Sequence, residues 1–240
     1  MSTQTQIERP PIDVDDDVLP GPDSDMVITL KIGEGNLDRY LKLVGEEGPR
    51  IKYLDGSLTL VSPSYRHERA SDRIDAVLTL ICDELDIAYI STCSTLYRLE
   101  KKDHGVEPDK SYYFRSGVNL IPAFAKGVPV SFDLTLYPPP DLVVETIYGH
   151  SAATALEIYQ QLGVPEVWLY LVKKQSLVFL QLDKVGEYLP ISSSDSFPFL
   201  TPEDFIPWIN DTEIFGNVLK RKAKTWVREV IAPRHAANPK

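Results

Sequence analysis

The stretch "PPPDLVVETIYGH", residues 138–150, decides how the rest of the chain is interpreted. Three prolines end the preceding element, and the Leu-Val-Val run after them is typical of a buried β-strand. Side chains alternate between the two faces of a strand, so Asp141, Glu145 and Ile147 share one face. A carboxylate inside an apolar strand is costly unless it is paired. Glu145 is therefore predicted to be functional, to pair with an arginine, or to face solvent.

The segments around this strand predict a mixed α/β (α+β) architecture. "IKYLDGSLTLVSP" is typical of a hairpin, because Asp55-Gly56 accepts the positive φ of a tight turn. Ser64 is suited to cap a helix that runs to about Asp86. Short strands, a helix at "SAATALEIYQQLG", two more strands and further helices follow. The fold expected is a mixed β-sheet core flanked by helices, with the hairpin near the N-terminus.

Three regions are expected along the chain. Residues 1–25 hold prolines and an acidic run without hydrophobic periodicity, which is typical of a disordered tail. Residues 26–210 form the main domain. Residues 211–240 form a basic helix and tail whose cations are Lys220, Arg221, Lys222, Lys224 and Arg228.

Composition limits the class of protein. The chain has 240 residues, a net charge of -10 and two cysteines, Cys82 and Cys93. The cysteines match neither a disulfide framework nor a metal-ligand spacing, which favours a reducing compartment. No leader or membrane-spanning run is visible. A soluble cytoplasmic protein with no membrane association is expected.

A second carboxylate has a context similar to that of Glu145. Asp109 follows Pro108 at the start of a short strand in "GVEPDKSYYF". If the two strands are neighbours, they lie about 5 Å apart, so Asp109 and Glu145 converge. Two close carboxylates repel each other unless a cation lies between them. A hard divalent ion such as Mg²⁺, or Mn²⁺, prefers such oxygen ligands and activates water for phosphodiester hydrolysis.

Four blocks in this order resemble the Uma-two family of endonucleases, which has the PD-(D/E)xK restriction-endonuclease-like fold. The blocks are "YLDGSLTLVSPSYRHE", "GVEPDKSYYF", "PPPDLVVETI" and "YQQLGVPEVWLY", within residues 36–210. The resemblance implies metal ligands at Asp109 and Glu145, with Asp141 opening the strand. It also implies that Glu68, beside His67, completes the acidic cluster, and that the substrate is DNA.

One position departs from the family pattern. A lysine is expected two residues after the glutamate, where this chain has Ile147. The family often moves that lysine to the next helix, but no lysine or arginine occurs between Lys126 and Lys173. Lys110, His150 and Gln160 are the alternatives considered, and Lys110 should point away in a regular strand.

Basic residues on the first long helix are candidates for phosphate contacts. Arg66, Arg69 and Arg73 follow i, i+3, i+7 spacing and predict one ridge, with Lys110 as a further contact. A solvated helix face explains the same spacing. The C-terminal cations have the same two interpretations. Trp168 is assigned to the core or to a dimer interface.

Three functions remain open from the sequence. The first is a metal-dependent DNA endonuclease that uses Asp109, Glu145, Glu68 and His150. The second is a catalytically degenerate nuclease fold that binds nucleic acid or protein, as the absent lysine and the acidic net charge suggest. The third is a carboxylate-pair sugar hydrolase, ranked last because no aromatic platform accompanies the carboxylates. A homodimer is expected for cleavage of both strands.

Overall fold

A computed structural model describes residues 14–15, 23–44, 48–99, 103–115 and 131–237. Most of the predicted tail at 1–25 lies outside these residues. The described strands form two six-stranded sheets with helices packed around them. This arrangement confirms the predicted mixed α/β class, while dividing the strands between two sheets where a single mixed sheet was expected.

The first sheet contains the predicted hairpin and has the strand order β1-β3-β2-β6-β5-β8. Its strands are β1 (Met26–Lys31), β2 (Arg50–Leu54), β3 (Ser57–Ser62), β5 (Leu96–Leu99), β6 (His104–Val106) and β8 (Ser131–Asp133). Asp55 and Gly56 join β2 to β3 with φ of 47° and 74°. The left-handed backbone of this turn explains the Asp-Gly pair.

The second sheet carries the opening stretch in its interior and has the order β12-β11-β10-β9-β7-β4. Its strands are β4 (Ile90–Ser91), β7 (Lys110–Tyr113), β9 (Leu142–Ile147), β10 (Glu166–Leu171), β11 (Ser176–Leu182) and β12 (Tyr188–Ile191). Strand β9 pairs parallel with β10 and antiparallel with β7. All six residues of β9 are buried, so any charge on it must be paired inside the protein.

The helices cover both faces of the second sheet. They are α1 (Leu37–Val44), α2 (Tyr65–Leu85), α3 (Ala153–Leu162), α4 (Pro202–Asn210), α5 (Gly216–Trp226), a π-helical segment (Val227–Ile231) and α6 (Ala232–Ala237). Helix α2 packs on β9 and against α4 and α5, and α3 contacts β2 and β6 of the first sheet. No described helix is long and apolar enough to span a membrane.

Strand parity separates the two hydrophobic cores. Leu142 and Val144 join the core beneath α2, whereas Val143 and Ile147 join the core that contains α3 and part of the first sheet. Glu145 has the parity of Val143 and therefore faces the first sheet. This orientation places the charged position of β9 between the two sheets.

Some local assignments differ from the sequence-based ones. His104 and Gly105 belong to β6, and a Cβ on Gly105 would lie 3.1 Å from Leu37. The C-terminal helix, expected within residues 211–240, begins at Gly216 and continues into the π-helical segment. Trp168 is fully buried and stacks on Phe179 at 4.1 Å between ring centroids, which places it in the core.

Candidate active site

Asp109 and Glu145 lie level with each other on neighbouring strands. Lys110 of β7 is opposite Val144 of β9, so Asp109, one residue earlier, is level with Glu145. The backbone N–H of Thr146 donates to Oδ2 of Asp109 at 2.6 Å. Both side chains are buried, at 4% and 2% exposure. The predicted proximity of the two strands is therefore present.

A lysine from the first sheet pairs with Glu145. Lys52 Nζ lies 2.5 Å from Glu145 Oε1, and both side chains are buried. The hydroxyl of Tyr159 on α3 donates to Oε2 at 2.9 Å. Both carboxylate oxygens of Glu145 therefore have a partner, and the buried charge of the strand is neutralised by Lys52.

Asp109 is held by two cationic side chains. Oδ1 accepts from His67 Nε2 at 2.8 Å and from Arg50 Nη1. Arg50 also donates to Oε1 of Glu68 at 2.8 Å through Nη2. Arg50 thus joins Asp109 to the partly exposed Glu68 at the start of α2. Arg50 therefore links two of the three predicted carboxylates, whereas Glu145 has its own partner in Lys52.

The other nitrogen of His67 contacts a residue assigned to the N-terminal tail. Nδ1 lies 2.7 Å from Asp25 Oδ2, and Oδ1 of Asp25 accepts from the backbone N–H of Ser64 at 2.8 Å. His150 Nε2 is 3.3 Å from the same Asp25 oxygen. His150 therefore reaches the site only through Asp25 and His67, and Asp25 is a buried member of the network.

The pKa values of this network follow from charge pairing. Burial alone would lower the pKa of His67, but the charge of Asp109 and the bonds to Asp109 and Asp25 raise it to about 10. Burial would raise the pKa of Asp109, yet His67 and Arg50 hold it below its usual value. His67 is therefore a cation at neutral pH, beside an ionised Asp109.

Neither Ile147 nor the three candidate replacements supplies a cation to Glu145. Ile147 is fully buried in the core on the α3 side. Lys110 Nζ pairs with Asp72 at 2.8 Å, as its opposite strand parity predicts. Gln160 Nε2 donates to the carbonyl of Gly186. Lys52 was not singled out from the sequence, although a lysine between Ile51 and Tyr53 in an apolar strand was a signal.

Glu107 supports the strand that carries this lysine. Its Oε2 accepts from the backbone N–H of Ile51 at 3.0 Å, next to Lys52. Burial raises the pKa of Glu107 to about 7, although the bond from Ile51 and the charge of Arg50 oppose the rise. Strand β2 is thereby fixed where Arg50 and Lys52 both enter the site.

Asp141 lies apart from the cluster. Its Oδ2 accepts from the backbone N–H groups of Phe114 and Arg115 at 2.7 and 3.0 Å. Glu145 is four residues further along the extended chain, a span of about 13 Å. Asp141 therefore anchors the end of β7.

The three helical arginines have different surroundings. Arg73 is buried, and its guanidinium donates to the carbonyls of Trp208 and Ile214, so it is absent from the predicted exposed ridge. Arg69 Nη2 donates to the carbonyl of Asp211 at 2.8 Å. Arg66 is exposed, with Nη1 3.4 Å from the hydroxyl of Tyr148. Only Arg66 and Arg69 remain on an accessible face.

The side chains of Asp109 and Glu145 offer the type of donor atom that a divalent metal ion binds. Asp109 and Glu145 are hard oxygen donors, and Mg²⁺ is commonly held by one or two carboxylates together with waters. Within the part of the chain that the structure describes, no three His, Cys, Asp or Glu side chains are arranged as a metal site. Arg50, Lys52 and His67 already contact the carboxylate oxygens, so an ion has to compete with these three charges.

Comparison with known proteins agrees with this fold. A family described as "Uma2: Putative restriction endonuclease" matches residues 37–213. The chain belongs to the Uma2 family. Comparison with curated proteins gives no match.

A solved structure shows the same fold. It is titled a putative nuclease belonging to DUF820 from Anabaena variabilis ATCC 29413, with a TM-score of 0.55 and 18% identity. The match covers 72% of this Uma2 chain and 98% of that one. Family and fold together support a nuclease function, and restriction-endonuclease-like proteins generally use a divalent metal ion.

Proposed function

We propose that this Uma2 protein is a metal-dependent endonuclease that hydrolyses phosphodiester bonds in DNA. The observation that carries the proposal is the buried Lys52–Glu145 pair beside Asp109. Two carboxylates and a lysine are the charged groups that the PD-(D/E)xK pattern requires. Here the lysine comes from β2 instead of from β9. The cytoplasm is the proposed compartment, in keeping with a DNA substrate.

Each side chain has a distinct role in this proposal. Asp109 and Glu145 would hold Mg²⁺ or Mn²⁺, and such an ion lowers the pKa of a bound water and polarises the phosphate. Lys52 keeps a positive charge beside Glu145, where negative charge develops on the phosphate during attack. Tyr159 orients the Glu145 carboxylate from α3. His67 and Arg50 orient Asp109.

The test is a cleavage assay on supercoiled plasmid and on single-stranded DNA with Mg²⁺, Mn²⁺ or EDTA. We expect cleavage with a divalent ion, none in EDTA, and a loss of on the order of a hundredfold or more in Glu145→Gln. Glu203→Gln, which changes a carboxylate of the first turn of α4, is the matched control and should keep wild-type activity. Cleavage that persists in EDTA or in Glu145→Gln would reject the proposal.

The alternative is a nuclease fold that has lost catalysis, and the ion pairs at the site favour it. Arg50, Lys52 and His67 occupy the oxygens that an ion would use. If Arg50 competes with the ion, Arg50→Met should bind Mn²⁺ at least about tenfold more tightly than wild type, because a positive charge that repels the cation is removed. Calorimetry measures the two affinities. Equal or weaker Mn²⁺ binding would show that Arg50 does not block the ion.

A homodimer remains part of the proposal. Strand β1 lies at an edge of the first sheet among the described residues, and all six of its side chains are exposed. Met26, Ile28 and Leu30 are exposed by 60%, 46% and 42%. An exposed apolar edge strand readily pairs with another strand, and a second copy supplies the same one. Light scattering in solution measures the molar mass. A mass of two chains is expected for the homodimer, and a mass of one chain would contradict it.

A further inference from the structure

A cleft with two exposed aromatic rings runs along the start of α2. Two cavities, of about 410 and 480 Å³, are both lined by Tyr65, Arg69 and Phe215. A third cavity beside them is lined by Tyr65 and Arg66. Tyr65 therefore stands where all three meet, next to the helix N-cap Ser64.

The two rings are unusual in their exposure. Tyr65 is 77% exposed and Phe215 59%, and they are the only aromatic side chains among the large exposed apolar residues that the structure describes. Every other member of that set is aliphatic or methionine. Large aromatic side chains are normally buried, so two exposed rings on one cleft indicate a ligand that packs on flat faces.

The charge of the cleft fits a polyanion. Arg66, Arg69 and Lys220 line it, and none of the three is in an ion pair within the described ranges. Three acidic residues also line these cavities: Glu68 pairs with Arg50, Asp72 pairs with Lys110, and Asp23 lies in the third cavity. The three arginine and lysine side chains outnumber Asp23, the one acidic residue of the three without a described ion pair. The cleft is thus positive although the whole chain is acidic.

The cleft leads to the candidate active site. Glu68 lines the cavity of about 410 Å³, and its Oε1 accepts from Arg50, which also contacts Asp109. Asp109 and Glu145 are buried and line none of these cavities, so Glu68 and Arg50 are the connection between the cleft and the carboxylate pair.

We propose that this cleft binds an unpaired, single-stranded stretch of DNA. Bases stack on Tyr65 and Phe215, while Arg66, Arg69 and Lys220 contact the phosphates. The inference rests on the proposed nuclease function, which it deepens by naming the form of the substrate. Single strands are favoured over duplex because base faces are available to a ring only where the bases are unstacked.

The test measures binding by fluorescence anisotropy in EDTA, so that hydrolysis plays no part. The probes are a labelled single strand of about 16 nucleotides and the same sequence as duplex. We expect the single strand to bind more tightly than the duplex. Tyr65→Ala should weaken single-strand binding about tenfold or more, and Tyr65→Phe should preserve it because the ring is kept. Arg66→Gln should lower the dependence of affinity on salt.

Val185→Ala is the matched control, because Val185 is 80% exposed and lines none of these cavities. It should bind as wild type does. Three results would overturn the inference: no binding of the single strand, wild-type affinity in Tyr65→Ala, or equal affinity in Tyr65→Leu and Tyr65→Phe. The last would show that any apolar side chain suffices at this position, so that stacking on a ring does not carry the binding. Ring-dependent binding without cleavage under any divalent ion would reject the nuclease and leave the cleft assignment standing.

Discussion

Lys52→Met should lower the free energy of unfolding by about 3–5 kcal/mol, because it leaves the Glu145 carboxylate buried without its cation. Lys52 and Glu145 are both almost completely buried, so water cannot replace the lost charge. The methylene stem is largely preserved by methionine, which confines the change to the ammonium group. Urea unfolding followed by tryptophan fluorescence gives the difference between variant and wild type.

A double variant separates charge pairing from packing. Lys52→Met with Glu145→Gln removes both charges, and glutamine still accepts from Tyr159. The double variant should therefore be more stable than Lys52→Met alone, by an interaction energy of about 1–3 kcal/mol. Lys222→Met changes an exposed lysine of α5 and should leave stability within about 0.5 kcal/mol of wild type. If the loss of unfolding free energy in the double variant equals the sum of the losses in the two single variants, the two side chains do not interact and the pairing is refuted.

Asp109→Asn should lower phosphodiester cleavage by at least about a hundredfold, the scale on which loss of one electrostatic contact reduces kcat. Asparagine has the same shape, and its carbonyl still accepts from the Thr146 N–H. What disappears is the negative charge between His67, Arg50 and any bound ion. Both cations keep a second carboxylate, Asp25 for His67 and Glu68 for Arg50, so the protein should still fold.

Two measurements keep the result interpretable. Circular dichroism should show a folded Asp109→Asn protein, and calorimetry should show weaker Mn²⁺ binding than wild type, because a charged ligand is lost. Asp38→Asn is the matched control, since Asp38 is an exposed carboxylate that pairs with Arg98 and lines none of the described cavities. It should cut as wild type does. Wild-type cleavage by folded Asp109→Asn would remove Asp109 from the mechanism.

Local sequence patterns were sufficient for several elements of the fold. Asp55-Gly56 required a turn with positive φ, and the period-2 pattern of β9 placed Glu145 on the face opposite Val144. Asp109 followed a proline at a strand start, and that strand is the antiparallel neighbour of β9. These features depend on backbone conformation and nearest neighbours, which residues close in sequence determine.

The partners of the carboxylates could not be predicted in the same way. Arg50, Lys52 and His67 come from β2 and α2, far from Asp109 and Glu145 in the sequence. The contact between Lys52 and Glu145 exists only because α3 and the first sheet pack on one face of β9. Asp25 joins the site from the predicted tail through its contacts with His67 and the backbone of Ser64.

The sequence by itself indicated a glutamate inside an apolar strand, a second carboxylate at the start of another strand, and Ile147 at the usual lysine position. Only the tertiary structure decided that Lys52 pairs with Glu145, and that Arg73 turns inward while Tyr65 and Phe215 stay exposed. Strand parity is a property of the local backbone. The pairing of buried charges depends on which elements pack against each other. Here the packing of the first sheet against the second brings β2 next to β9.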